Sequence, residues 1–263
     1  MAYQESLIVD RPRGFAETAA IWAFGLALLA LIGFALVPAG WRLGLWHYSV
    51  SFLILRYAAY LAIAAVAVSL AALAGFARLT ATCRLLALAA LIGGVGLAYV
   101  PWHYTRVASR LPPIHDITTD TVDPPDFWAV LPSRVAEEAL PVEYGGPAVA
   151  KLQRAAYPDI VPLDAALPPE RAYQIALATA QAMPGWMDVI TDKSARRVEA
   201  SQQSFWMGFT DDVSIRVSRH GNGSRIDVRS LSRQGSGDFG INAARIRAYL
   251  AAFKTALAQA DQH

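Results

Sequence analysis

Three runs without a formal charge, at 18–41, 57–77 and 85–105, constrain this chain more than any other feature. Each is long enough to cross a hydrocarbon core of ~30 Å at ~1.5 Å per residue. A backbone in lipid must satisfy its own N–H and C=O groups, so each run is expected to be a transmembrane helix. Hydrophobic residues make up 55% of the chain and crowd into these runs, dividing it into a membrane half and a soluble half. The apolar piece 43–55, cut off by Arg42 and Arg56, either lies at the interface or extends the second helix with Arg56 snorkelling outward. Trp41, Trp46, Tyr99, Trp102 and Tyr104 stand near the ends of spans, where aromatic anchors are enriched.

Arg11 and Arg13 precede the first run, and Arg78 and Arg84 bracket the short loop after the second. The positive-inside tendency therefore favours a cytoplasmic N-terminus, although Arg42, Arg106 and Arg110 fall on the other side. Three spans then carry the C-terminal half out of the cytoplasm. The expectation is a multi-pass protein of the inner (cytoplasmic) membrane with a periplasmic domain. The first run is too long for a cleaved signal peptide. Ion pumping lacks the intramembrane charges it usually needs. The cluster Gly93-Gly94-Val95-Gly96 reads as close helix packing. The single Cys83 falls between the second and third runs, so the soluble half has neither disulfide nor thiol nucleophile. With a net charge of +2 and no basic stripe, nucleic-acid binding has no support.

The soluble half opens with RLPPIHDITTDTVDPPD, whose prolines and acids predict an extended linker over 111–126. The spacing of His115, Asp116, Asp120, Asp123 and Asp126 matches no rigid metal-ligand set, and neither metal nor cofactor is expected. Repeated Pro and Gly over 127–163 predict only short helical turns. A helix over 168–183 follows from Pro169 and Glu170 in the first turn and from Tyr173, Ala176, Leu177, Ala180 and Met183 on one face. Strands are predicted at 186–192 and 197–209. A final helix over 242–258 buries Ile246, Tyr249, Leu250, Phe253 and Leu257.

Between them, DDVSIRV and SRIDVRSLSR flank His-Gly-Asn-Gly, a β-hairpin pattern. A turn centred on Gly221-Asn222 pairs Val217 with Ile226 and Arg216 with Asp227; a turn on Asn222-Gly223 shifts the register by two and keeps the faces. In both registers Asp211, Ser230 and Ser232 share the apolar face, where polar groups need partners. Asp211 is expected to bond Ser232 or the glycine loop. Asp212 is expected to meet an arginine on the opposite face and to matter less for stability. The order helix, four strands, helix describes an α+β domain at 127–263, with an antiparallel sheet of about four strands packed by two helices. It follows the membrane half at 1–110.

Gly235-Ser-Gly237-Asp-Phe-Gly240 matches G-x-G-x-x-G, but too little chain follows for a dinucleotide-binding unit. Arg245 and Arg247 in the first turns of a helix oppose its dipole, so Asp238, Asp212 or an external anion must offset them. Ser230 and Ser232 lack a credible base, since His220 falls in the turn at the far end from Ser232, which argues against a Ser-His-Asp triad.

The stretch RSLSRQGSGDFGINAARI (229–246), with FTDDVSIRV before it, resembles the signature of a bacterial and plastid family, domain of unknown function fourteen-ninety-nine. IHDITTDTVDPPDF and QRAAYPDIVPL are similar to its N-terminal segment. The resemblance implies that Asp211, Asp212, Arg229, Ser230, Ser232, Arg233, Gly235, Asp238, Gly240, Asn242 and Arg245 form the family motif. Gly237 stands where many members carry serine. It implies no reaction and no catalytic residue. Three readings follow from the residues. The first is a non-catalytic envelope module, contacting the lipid bilayer and a partner protein or anionic ligand. The second is an enzyme on an anionic substrate with Asp211 or Asp238 as general base. The third is a structural clasp joining hairpin to helix.

Overall fold

The computed structural model describes residues 13–260, so Arg11 of the charge argument lies outside the described residues. The chain forms two compact units that divide between Thr105 and Arg106.

The first unit holds helices α1 (Phe15–Arg42) and α2 (Tyr48–Ala74), a 3-10 turn (Phe76–Arg78) and most of α3 (Ala81–Ala108). All three helices are long and apolar enough to cross a membrane. The apolar piece after Arg42 resolves into a short connection and, from Tyr48, the start of α2. Cys83 lies buried in the first turn of α3 rather than in a loop. Alanines make the contacts: Ala20, Ala23, Ala30, Ala62, Ala65 and Ala90 are fully buried. Small side chains let such helices approach closely. A Cβ on Gly94 would come 2.9 Å from the Ala62 carbonyl oxygen, while Gly93 and Gly96 face open space. Only one glycine of the cluster is therefore needed for packing.

The second unit contains β1 (Asp116–Thr118), α4 (Leu131–Ala136), α5 (Gly146–Ala156), β2 (Leu163–Ala165), α6 (Pro169–Ala182), β3 (Trp186–Asp192), β4 (Arg197–Gln203), β5 (Thr210–His220), β6 (Gly223–Ser232) and α7 (Ile241–Ala260). The strands form one antiparallel sheet of order β1-β6-β5-β4-β3, with β2 pairing β6 further along the same edge. Six strands replace the expected four. β1 and β2 have three residues each, too few for an alternating pattern to be visible in the sequence.

The stretch 111–126 is not a free linker. Asp116, Ile117, Thr118 and Thr119 are buried, because β6 needs a partner on its outer edge. The side-chain amide of Gln153 then closes the outer edge of β1, donating to the Thr118 carbonyl at 2.6 Å and accepting its N–H at 3.0 Å. Gln153 belongs to α5, which is longer than the Pro/Gly content suggested. Gly146 and Pro147 open this helix, where proline is tolerated, rather than interrupting it.

The hairpin adopts the first of the two registers. His220 pairs with Gly223 around Gly221-Asn222, and Arg216 stands opposite Asp227. Gly221 has φ of 56°, as the first central residue of a type II′ turn requires. Val213, Ile215, Val217, Ile226 and Val228 form one apolar face, covered by α6 and α7. Ala172, Ala176 and Ala180 let α6 settle onto that face. Tyr249 of α7 is fully buried, donates its hydroxyl to the Ala176 carbonyl at 3.0 Å and stacks on Trp186. β4 ends at Gln203, short of the expected 209. The loop that follows is closed by Ser204, whose N–H donates to the Phe209 carbonyl at 2.8 Å.

Candidate functional site

Alternation along β5 sends Asp211 and Asp212 to opposite faces of the sheet. Each becomes the centre of a separate polar cluster.

On the helix-covered face, Asp211 accepts a 2.6 Å hydrogen bond from Arg245 of α7. The same guanidinium donates to Ser230 Oγ at 2.8 Å and to Gln202 Oε1 at 2.6 Å. Asn242, one turn earlier on α7, accepts from Ser230 Oγ and donates to Ser232 Oγ at 2.9 Å and to the His115 carbonyl at 3.0 Å. Asp211, Ser230, Ser232, Asn242 and Arg245 are thus brought together. They tie the end of the hairpin to α7 and to the chain entering β1. The partner expected for Asp211 is replaced: Ser232 bonds Asn242, because Arg245 reaches the carboxylate first.

On the opposite face Asp212 is fully buried, and four donors surround its carboxylate. Arg233 grips it side-on through Nε at 2.9 Å and Nη2 at 2.7 Å; Arg134 of α4 donates at 2.6 Å and Ser201 Oγ at 2.7 Å. Arg233 also donates to Glu137 at 2.6 Å. Burial alone lowers the Arg233 pKa, but the Asp212 hydrogen bond and charge more than restore it, so the guanidinium is held more firmly charged than usual. Nearby, Arg229 makes a two-point contact with Asp116 at 2.9 and 2.7 Å and donates to the Val142 carbonyl at 2.6 Å, beneath the Phe127 and Tyr144 rings. Asp212 is therefore the more enclosed of the two carboxylates, the reverse of the sequence expectation. The reason is the strap 119–145, which covers a face that alternation alone assigns to solvent.

Glu199 fixes that strap. Its fully buried carboxylate accepts the backbone N–H groups of Trp128, Ala129 and Val130 at 2.7–3.0 Å. Burial pushes its pKa up, against those three donors and with help from the negative charge of Asp212, to about 7.

In the glycine loop, Gly235 and Gly240 have φ of 89° and 80°, values that favour glycine. A Cβ on Gly237 would meet only the Pro113 Cα at an ordinary 3.7 Å, so a serine fits there. Asp238 occupies the start of α7 itself, accepting the N–H groups of Gly240 and Asn242 at 2.9 Å each. Burial lifts its pKa despite those donors. The positive end of α7 is thus filled by an anion from within the chain. Arg247 pairs with Asp159, not with Asp212 or Asp238. Among the described residues no group of three or more His, Cys, Asp or Glu side chains could hold a metal ion.

A cleft of about 500 Å³ lies beside the Asp212 cluster, between α4 and the β3–β4 edge. Ser133, Glu137, Met187, Ile190, Ser201 and Arg233 are among its walls, whereas Asp211 and Asp238 are not.

A family model matches residues 116–253, just over half of the chain and nearly all of the sheet domain. The chain belongs to the family described as protein of unknown function (DUF1499). The match begins at β1 and includes every residue of both clusters, while the membrane helices lie outside it. No curated protein matches the chain. Among solved structures, the crystal structure of Ara h 8.0201 is similar at 11% identity with a TM-score of 0.30, covering 39% of this chain and 95% of that one. At that score the likeness carries no argument about ligand or fold.

Of the motif residues named from the sequence, Asp211, Ser230, Ser232, Asn242 and Arg245 meet in one cluster and Asp212, Arg229 and Arg233 lie on the opposite face, while Gly235, Asp238 and Gly240 belong to the loop that leads into α7. Sequence reasoning missed Arg134 and Glu137 of the strap and Asp116 of β1 as partners of motif residues, and Glu199 of β4 as the anchor of the strap. A signal was present: Glu199, Ser201, Asp212, Ser214, Asp227 and Arg229 crowd one face with both signs of charge. A Pro-rich segment of such length needs something to lie against.

Removing one member of a buried ion pair leaves the other uncompensated. Asp212→Ala strands two guanidiniums and should destabilise the Arg106–His263 fragment by about 3–5 kcal/mol. Asp211→Ala should lose about 1–3 kcal/mol. Urea unfolding of the two variants checks the order.

The folded pKa of Glu199, about 7, lies above its ordinary 4.5, so the folded state binds this proton more tightly. The stabilisation from proton uptake is complete below pH 4.5 and lost as pH rises through 7. Glu199→Gln mimics the protonated group, so the stability difference between variant and parent should shift in the variant's favour across that window. A difference flat with pH would show that Glu199 does not titrate there.

Proposed function

We propose that this DUF1499 protein is a non-catalytic envelope module, anchored in the inner membrane, whose periplasmic domain binds or scaffolds a partner. In it the family motif serves as the clasp of the fold. One observation carries this reading: each motif arginine, Arg229, Arg233 and Arg245, has a carboxylate of the same domain within 2.7 Å. Guanidiniums committed to internal partners are poor holders of an external anion. Asp211 and Asp238, the two candidate bases, are likewise engaged with Arg245 and the α7 N-terminus. The helices α1, α2 and α3 support the anchoring, and Arg78 and Arg84 in and beside the short loop before α3 support the outward placement of the domain. The bilayer is then one partner, and an envelope protein meeting the surface outside the clasp is the other.

The clasp and an anion site respond differently to one substitution. Arg245→Ala should lower the melting temperature of the Arg106–His263 fragment by roughly 5–10 °C. The unsubstituted fragment should gain nothing from millimolar phosphate beyond a matched chloride control. An unaltered melting temperature in the variant, with phosphate stabilisation of the parent, would instead make Arg245 an anion holder.

Placement is checked separately. Alkaline phosphatase fused after His263, active only in the periplasm, should be active in a bacterial host. An inactive phosphatase and an active cytoplasmic reporter at the same point would reverse the topology.

A further inference from the structure

The two ends of the sheet differ sharply in chemistry. One end carries the turns after β3 and β5, with Asp192, Lys193, Arg196, Arg219 and His220. At the other end lie the loops 204–209 and 235–240, joined where the Arg233 N–H donates to the Thr210 carbonyl at 2.9 Å. These two loops contain a single charge, Asp238, which is buried in its cap. Their surface is instead apolar: Phe205 is 97% exposed, and Phe239, Ile241 and Trp206 are 42%, 46% and 39% exposed. Phe239 holds this position with φ of +54°, a conformation that L residues seldom adopt.

The covalent chain fixes where this end can go. Leu111 and Pro113 lie against the 235–240 loop, within 4 Å of where side chains on Gly240 and Gly237 would begin. Leu111 donates its N–H to the carbonyl of Ala108, the last residue of α3, at 3.3 Å. No more than ~11 Å of chain therefore separates the end of α3 from the apolar rim. Tyr99, Trp102 and Tyr104, all about half exposed, mark the interfacial level near the end of that helix. A rim whose two loops expose no charge, aromatic and a few residues from the end of α3, has the composition of a surface that seats in a membrane interface.

We infer that the loops 204–209 and 235–240, with Ile241 at the start of α7, form a membrane-docking rim in which Phe205, Trp206, Phe239 and Ile241 are seated in the interfacial region of the phospholipid bilayer. This inference rests on the proposal that α1, α2 and α3 cross a membrane.

The test uses the full chain with Cys83→Ser, so that each added cysteine is the sole labelling site. Phe205→Cys and Ser236→Cys report the two rim loops, and Arg219→Cys reports the far end. Each carries an environment-sensitive fluorophore and is placed in phosphatidylcholine nanodiscs with or without a nitroxide-bearing headgroup lipid. Rim labels should be quenched by the nitroxide lipid about threefold more than the label at 219, and more strongly than they are by aqueous iodide. Equal quenching at 205, 236 and 219 in protein that has entered the discs overturns the docking inference alone. Labels shielded from iodide yet insensitive to nitroxide lipid overturn it in favour of a second copy covering the rim. Protein that never enters the discs overturns both this inference and the membrane proposal beneath it. Ser236, exposed and on the second loop, keeps the test decisive if Phe205→Cys fails to fold.

Discussion

A carboxylate shut away from water must have its lone pairs occupied, and Asp212 meets that demand with two guanidiniums and a hydroxyl. Its donors come from α4, from β4 and from the residue just beyond β6. The strap, the sheet centre and the start of the glycine loop are therefore mutually dependent. If any of the three moves, a buried charge is left bare. This interdependence is a stronger constraint on the domain's shape than the amount of apolar surface it buries, because apolar contacts tolerate sliding and a four-donor carboxylate does not.

The sheet consequently has two unlike faces. Under α6 and α7 it is an ordinary apolar core of Val, Ile, Ala and aromatic side chains, with a polar patch only where Arg245 and Asn242 meet the hairpin's end. Beneath the strap it is an ionic layer, in which Glu199 holds main-chain N–H groups and Arg229 holds both Asp116 and a carbonyl. Apolar burial supplies stability without direction. The ionic layer supplies direction and little net stability, since the desolvation of its charges offsets most of their attraction.

How much of this was legible depends on how each feature is encoded. The hairpin and its apolar face were readable, because Val213, Ile215, Val217, Ile226 and Val228 alternate around a Gly-Asn turn, but two registers kept the same faces and the sequence did not choose between them. The helices α6 and α7 were readable from their spacing and from Pro169 in the first turn of α6. The three apolar helices were readable from length alone. β1, β2 and α5 were not, since their positions follow from an edge of β6 more than a hundred residues from β1 and some sixty from β2. For the same reason Asp212 was misjudged: period-two alternation says which face a residue shares, never what covers that face. A signature read along the chain does not divide its residues between faces: Asp211 and Asp212 are neighbours in sequence and part company in the sheet.

The pairing of β1 with the last strand has a consequence for the order of events during synthesis. Asp116 finds Arg229 across 113 residues of chain, and His115 finds Asn242 across 127. Residues 111–145 are therefore made first and must wait, with their partners unmade, until β6 and the start of α7 emerge. Closure of the domain is a late, nonlocal step of the kind that slows folding. The waiting segment is rich in proline and aspartate, residues poor at forming strands by themselves. The same composition that hid β1 from view keeps it from pairing wrongly while it waits.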